Sequence, residues 1–138
     1  MKTIKSLFAY ILISLFCIPA FAQSGTFRLS THILDINKGL PVPHVDIKLY
    51  KFNPDSQKWI QVAENKTDQN GRVADFLPSN QENRGIYKLK FETEPYFQAQ
   101  HLNSIYPYIE IVFKIEDKGH YHIPITMSAN GYSTYKGN

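Results

Sequence analysis

From Phe27 onward the chain is written in period two, the spacing of strands that bury one face. Phe27, Leu29, Thr31 and Ile33 alternate with Arg28, Ser30, His32 and Leu34, which predicts a first strand. Asn37-Lys38-Gly39 turns the chain, and Pro41 and Pro43 keep it extended. Val45, Ile47 and Leu49 against Asp46, Lys48 and Tyr50 predict a second strand. After the turn Asn53-Pro54-Asp55, the run Trp59 to Thr67 is its hairpin partner. Asp68-Gln69-Asn70-Gly71 is a tight turn in which Asn-Gly accepts positive φ at little cost, and Arg72 opens a short run ending near Leu77. A polar loop over 78–85 precedes a strand in which Tyr87, Leu89 and Phe91 alternate with Lys88, Lys90 and Glu92. Pro95 to Ser104 alternates weakly and has no glycine, so it is predicted as the one short helix. Ile109, Ile111 and Phe113 give another strand and Asp117-Lys118-Gly119 a turn; His120 to Met127 and Tyr132 to Lys136 close the series. Seven or eight short strands so punctuated predict an all-β fold, a two-sheet antiparallel β-sandwich with one short helix.

Upstream of this pattern the periodicity vanishes. Lys2 and Lys5 precede an apolar stretch from Leu7 to Phe21, and Ala20-Phe21-Ala22 is a small-x-small cleavage site. This is the pattern of a secretory signal peptide over residues 1–22, cut after Ala22, rather than of a retained membrane span. The expectation is an exported protein of the bacterial periplasm, without membrane association after cleavage, whose single mature domain is residues 23–138. Removing 22 of 138 residues leaves 116, enough for one sandwich with its own core.

The leader also distorts the composition. The chain carries 15 Lys+Arg against 12 Asp+Glu, and losing Lys2 and Lys5 takes the formal charge from +3 to about +1. That balance gives no basic surface for nucleic acid. The one cysteine, Cys17, leaves with the leader, and Phe16 stands where a lipoprotein anchor wants a small residue. The mature domain therefore has no disulfide and no cysteine metal site, and is held by its core or by oligomerisation. It stays rich in aromatic residues, and tyrosine is a residue type that subunit interfaces favour.

Four places carry candidate chemistry. His32 sits mid-strand on the face of Ser30 and Leu34, opposite Leu29 and Ile33; a lone strand histidine also reads as an ordinary surface or interface residue. His120 and His122, two apart, share a face with Thr126 beyond. As a metal pair they lack a carboxylate or cysteine at standard spacing, so no metal site is expected. Arg72, just past a turn, is either solvated charge or a planar fork of donors for an anion or carbonyl. The terminal Tyr132-Ser133-Thr134-Tyr135-Lys136-Gly137, closed by Asn138, places two tyrosines at a chain end, which favours an ordered terminus packed on something. There is no Gly-x-Ser-x-Gly elbow, phosphate-binding loop, His-Glu-x-x-His or dinucleotide fingerprint. What remains is histidine, arginine and hydroxyl groups, a set suited to general-base activation of water.

Taken together, Leu29-Ser30-Thr31-His32-Ile33-Leu34-Asp35, Gly39-Leu40-Pro41 to Lys51, Thr67-Asp68-Gln69-Asn70-Gly71-Arg72, and His120-Tyr121-His122-Ile123-Pro124 running into Gly131-Tyr132-Ser133-Thr134-Tyr135 resemble one family closely. It is that of the transthyretin-like 5-hydroxyisourate hydrolases. The resemblance implies a prealbumin/transthyretin-type sandwich assembled as a homotetramer, a dimer of dimers, with active sites in a channel between dimers. It implies hydrolysis of 5-hydroxyisourate, a purine-derived small molecule of urate degradation, to 2-oxo-4-hydroxy-4-carboxy-5-ureidoimidazoline by opening the six-membered ring, with no cofactor and no metal. By position the family's catalytic residues fall on His32, Arg72 and His122. Tyr135 falls on its substrate-binding tyrosine, with Arg72 and His32 also touching substrate and His120, Lys136 and Asn138 in secondary positions. The family's ending Tyr-Arg-Gly-Ser is Tyr135-Lys136-Gly137-Asn138 here, so Lys136 keeps the charge without the bidentate fork and Asn138 brings an amide for a hydroxyl. Two other readings share the architecture: a transthyretin-like small-molecule binding protein without catalysis, and an exported carboxypeptidase-regulatory-like sandwich module.

Overall fold

Ten strands and one helix follow one another over residues 26–137, which are the residues the computed structural model describes. The expected leader 1–22, its Cys17 and the terminal Asn138 lie outside the described residues. The strands are β1 (Leu29–Asp35), β2 (Leu40–Pro41), β3 (Asp46–Asn53), β4 (Lys58–Lys66), β5 (Arg72–Val73), β6 (Gly85–Phe91), β7 (Ile109–Ile115), β8 (Tyr121–His122), β9 (Ile125–Ser128) and β10 (Gly131–Thr134). Helix α1 (Glu94–Gln98) lies between β6 and β7.

Two sheets form. One runs β4-β3-β6-β7 and is antiparallel throughout, with a register shift between Leu49 and Tyr50 against β4. The other runs β10-β9-β1-β2, with β5 and β8 also paired to β1. Along β1 the burial alternates without a fault: Leu29, Thr31, Ile33 and Asp35 are buried, while Ser30, His32 and Leu34 are half-buried. Leu29 and Ile33 meet Ile47, Leu49, Leu89, Phe91, Ile109, Ile125 and Met127 in one core between the sheets. Each such side chain stabilises the fold by about 1.5–3 kcal/mol when fully buried, and the core forces Ser30 and His32 onto the opposite face.

Polar pins fix this core to its loops. The buried Thr67 hydroxyl accepts from the Val45 amide at 2.9 Å and donates to the Val42 carbonyl at 2.8 Å. Asp35, at the end of β1, accepts from the Asn37 and Lys38 amides, and Tyr96 of α1 donates its hydroxyl to the other carboxylate oxygen at 2.7 Å. Burial and that carboxylate push the Tyr96 phenol up to about 12.

The sandwich of short strands is as expected, with β5 ending at Val73 rather than near Leu77 and β10 running Gly131–Thr134 rather than Tyr132–Lys136, and three further differences have clear causes. The predicted helix Pro95–Ser104 begins at Glu94 and ends at Gln98. Proline fits its first turn, where no intrahelical N–H is needed. The Leu102 amide then reaches back to the Phe97 carbonyl while His101 takes φ 56°, which closes the helix. The run from His120 to Met127 is split into β8 and β9 around Ile123-Pro124, because proline has no N–H for the ladder. Finally, β1 pairs with β8 and β9 in parallel, Leu29 opposite Tyr121 and Ile33 opposite Ile125. No hairpin constrains these strands, since the whole other sheet lies between them in the chain.

Candidate active site

The half-buried face of β1 is the floor of the site, and its two edges bring the walls. On one edge β5 pairs antiparallel, with Arg72 directly opposite His32. Side chains so opposed have Cβ atoms about 5 Å apart. On the other edge β8 pairs in parallel, with His122 beside Ser30. Arg72, His32, Ser30 and His122 therefore form one row across three strands. They come from three separate parts of the sequence.

The turn before Arg72 is built to hold it there. One Asp68 carboxylate oxygen accepts from the amides of Asn70 (2.8 Å) and Arg72 (2.9 Å), and the Asp68 and Arg72 backbones are also bonded at 2.9 Å. Gly71 has φ +69° and lies so close to β1 that a Cβ would stand 2.8 Å from the Ile33 carbonyl oxygen. Only glycine lets this turn press against β1. The Arg72 guanidinium is exposed, and none of the five ion pairs among the described residues involves it. Its fork of donors is thus available to a ligand.

His120 and His122 do share a side, and they converge on a hydroxyl rather than on a metal position. Ser30 Oγ lies 2.8 Å from His120 Nε2 and 2.9 Å from His122 Nδ1. His120 Nδ1 lies 3.1 Å from the Phe27 carbonyl oxygen. Among the described residues no group of three or more His, Cys, Asp or Glu side chains stands close enough to hold a metal ion.

The electrostatics keep both facing imidazoles neutral. Desolvation holds His32 below its ordinary 6.5, and the Arg72 charge adds to this, against smaller opposing effects of the Asn70 backbone and Asp68. His122 is likewise lowered, first by desolvation, then by Arg72, His32 and His120. A neutral imidazole at neutral pH has a lone pair free to take a proton.

The segment from β10 to Gly137 folds against the His122 end of this row. β10 pairs with β9, Thr134 donates its hydroxyl to the Pro124 carbonyl at 2.8 Å, and the Gly137 amide donates to the His122 carbonyl at 2.8 Å. A Cβ on Gly137 would lie 2.6 Å from His122 Cδ2, so the glycine backbone is packed on the imidazole. Lys136 places its ammonium 4.4 Å from the centre of the Tyr121 ring, while Tyr135 is 60% exposed. Sequence reasoning brought out His32, Arg72 and the histidine pair but not the parts that position them, Ser30 and Gly137. Ser30 was legible only as a neighbour of His32 on the same face, and Gly137 had no local signal.

Known proteins place this arrangement in context. The profile of the HIUase/Transthyretin family matches residues 29–137. The chain is 42% identical over 113 residues to a probable 5-hydroxyisourate hydrolase of Caenorhabditis elegans, covering 81% of this chain and 82% of that protein. It is 36% identical over 135 residues to the 5-hydroxyisourate hydrolase of Salmonella dublin, covering 96% and 98%. Among solved structures, the Klebsiella pneumoniae 5-hydroxyisourate hydrolase superposes with a TM-score of 0.68 at 33% identity, over 80% of this chain and 98% of that one. With its sandwich, its row of histidine and arginine and these matches along most of its length, the chain belongs to the HIUase/transthyretin family.

Proposed function

We propose that the row Arg72, His32 and His122 is the machinery with which this chain hydrolyses 5-hydroxyisourate. The chain is a 5-hydroxyisourate hydrolase of urate degradation, and the step opens the six-membered ring at an amide bond. The observation that carries the residue assignment is the bracketing of one strand face: on one edge a guanidinium with no ion pair among the described residues, and imidazoles on the floor and the other edge. A binding protein for an apolar ligand would have no use for this set, because each polar group there is costly to desolvate.

In this reading Arg72 holds the substrate oxygens with its fork and stabilises the charge that develops on the attacked carbonyl. His32 and His122, both held neutral, receive the proton of the attacking water and return it to the departing nitrogen. Tyr135 contributes to substrate binding from the terminal segment.

The row is open to solvent in a single chain, since Arg72 is exposed and both imidazoles are half-buried. Electrostatic stabilisation of an oxyanion is worth far more where water is excluded. A second copy closing over this face would supply that, which supports a homotetramer with the sites between dimers. Ile36 and Leu40, 54% and 57% exposed near the end of the same sheet, are apolar surface for such a contact. Export to the bacterial periplasm rests on the leader pattern of residues 1–22.

The deciding experiment generates 5-hydroxyisourate in place from urate and urate oxidase and follows its ultraviolet decay. Purified mature protein accelerates the decay; a preparation that leaves it unchanged refutes the function. Light scattering of the same sample reads the tetramer, and N-terminal sequencing of periplasmic protein reads cleavage after Ala22.

A further inference from the structure

We propose that Ser30 and His120 form a proton relay behind His122, which makes Nε2 of His122 the base and carries the proton it gains out to the protein surface. The inference deepens the site reading above and rests on it. Its starting point is one hydroxyl placed within hydrogen-bond distance of two imidazoles.

The directions of the hydrogen bonds follow from what each atom can do. A carbonyl only accepts, so the 3.1 Å contact of His120 Nδ1 with the Phe27 oxygen requires the proton on Nδ1. In neutral His120 the other nitrogen, Nε2, is then an acceptor, and Ser30 must donate its hydroxyl proton to it across 2.8 Å. Ser30 Oγ has no second proton to give, so at 2.9 Å it accepts from His122 Nδ1–H. A neutral His122 with its proton on Nδ1 has its lone pair on Nε2. Among the described residues that nitrogen has no hydrogen-bond partner. One backbone carbonyl thus fixes, through three side chains, which nitrogen faces the reaction.

The same chain moves charge. When water attacks the ring carbonyl, its oxygen bonds to carbon and its proton goes to His122 Nε2. The Nδ1 proton of His122 passes to Ser30 Oγ, and the original hydroxyl proton of Ser30 passes to His120 Nε2. The positive charge then rests on His120 and not beside Arg72. His120 is exposed and lies against Phe27, at the end of β1 away from His32 and Arg72. When the tetrahedral adduct collapses, the carbon–nitrogen bond breaks and the relay runs backwards, delivering the proton from His122 Nε2 to the leaving nitrogen. Water has been added across the amide and every group is restored. In this relay Ser30 and His120 act through His122, as positioning residues.

The test combines kinetics with long-range nitrogen-15 NMR of the histidine rings in the full-length mature protein. NMR of the resting enzyme, above the pH range of histidine titration, is expected to find His122 protonated on Nδ1 and bare on Nε2. Ser30→Ala removes both hydrogen bonds, and His120→Gln keeps an acceptor for Ser30 but cannot carry a proton. Each is expected to lower kcat roughly 10- to 100-fold with KM nearly unchanged. The double variant is expected to be no worse than either single one, because the two residues act as a unit. Ser30→Thr, which keeps the hydroxyl, recovers most of the turnover. A His120→Gln enzyme with wild-type kcat, multiplicative losses in the double variant, or His122 bare on Nδ1 would overturn the relay while leaving the hydrolase intact. Full activity in His122→Ala would overturn the site assignment itself.

Discussion

The smallest possible change at Gly137 acts directly on the His122 imidazole. Gly137→Ala adds one carbon 2.6 Å from His122 Cδ2, 3.3 Å from Cγ and 3.4 Å from Cβ. Carbon atoms rest at about 3.5–4.0 Å, so one partner must give way by about 1 Å. The backbone offers no objection, since Gly137 is not among the glycines with positive φ. Two escapes exist. The ring can turn, which breaks the 2.9 Å contact with Ser30; or the terminal segment can lift, which breaks the 2.8 Å bond from the Gly137 amide to the His122 carbonyl. That bond is worth about 0.5–1.5 kcal/mol and lies outside the buried core, so its loss barely affects global unfolding. Turning the ring misplaces the base by about 1 Å, for which a loss of about 100-fold in rate is the expected scale. The expected result is a kcat reduced about 100-fold by ultraviolet decay assay, with Tm by circular dichroism lowered by less than about 5 °C. A Gly137→Ala enzyme with wild-type kcat would show that the glycine contact does not position His122.

The other predictions concern the row, its titration and its scaffold. His32→Ala and Arg72→Ala should each lower kcat/KM by about 100-fold or more, with sedimentation and circular dichroism unchanged; unaltered turnover in either removes that residue from the machinery. Because desolvation and Arg72 hold His32 and His122 below 6.5, kcat/KM should be flat above that pH and fall through an inflection below it. In Arg72→Ala, NMR titration of His122 should inflect at higher pH, and no upward movement refutes the charge coupling. The same sign governs stability: between the lowered folded value and 6.5 the unfolded chain binds more protons, so these histidines make stability rise with pH through that window. Thr67→Val strands the Val45 amide and the Val42 carbonyl in a site 2% exposed. It should cost about 1–3 kcal/mol in denaturant unfolding, and an unchanged midpoint refutes the pin.

How much of this was legible beforehand depended on whether the information was local. Alternation along β1 is a property of seven consecutive residues, and it placed Ser30 and His32 on the outer face correctly. The Asp68–Gly71 turn is likewise local. Which strands flank β1, and in which register, is decided by core packing between segments far apart in the chain, and no window of the sequence holds it. That is why Arg72 could read as solvated charge, and why His120 and His122 show in the sequence only as a pair on one face and not as two partners of the Ser30 hydroxyl. Family resemblance supplied the grouping of His32, Arg72 and His122 but was silent on the hydroxyl that joins the histidines. The end of α1 is not legible locally, because the residue that closes it, His101 in the left-handed region, is not a residue that advertises a stop.

The parallel pairing of β1 with β8 has a consequence for the order of events during synthesis. Ser30 and His122 are 92 positions apart, and the cover on His122 comes later still, at Gly137. The sheet that carries the site cannot close until the segment holding His122 and Gly137 has left the ribosome. Contacts of such long sequence separation also form slowly, on the millisecond-to-second scale. The nascent chain is therefore without an assembled site until β8 and Gly137 have emerged. A product truncated before β8 would lack His120 and His122 outright rather than retain a weakened site.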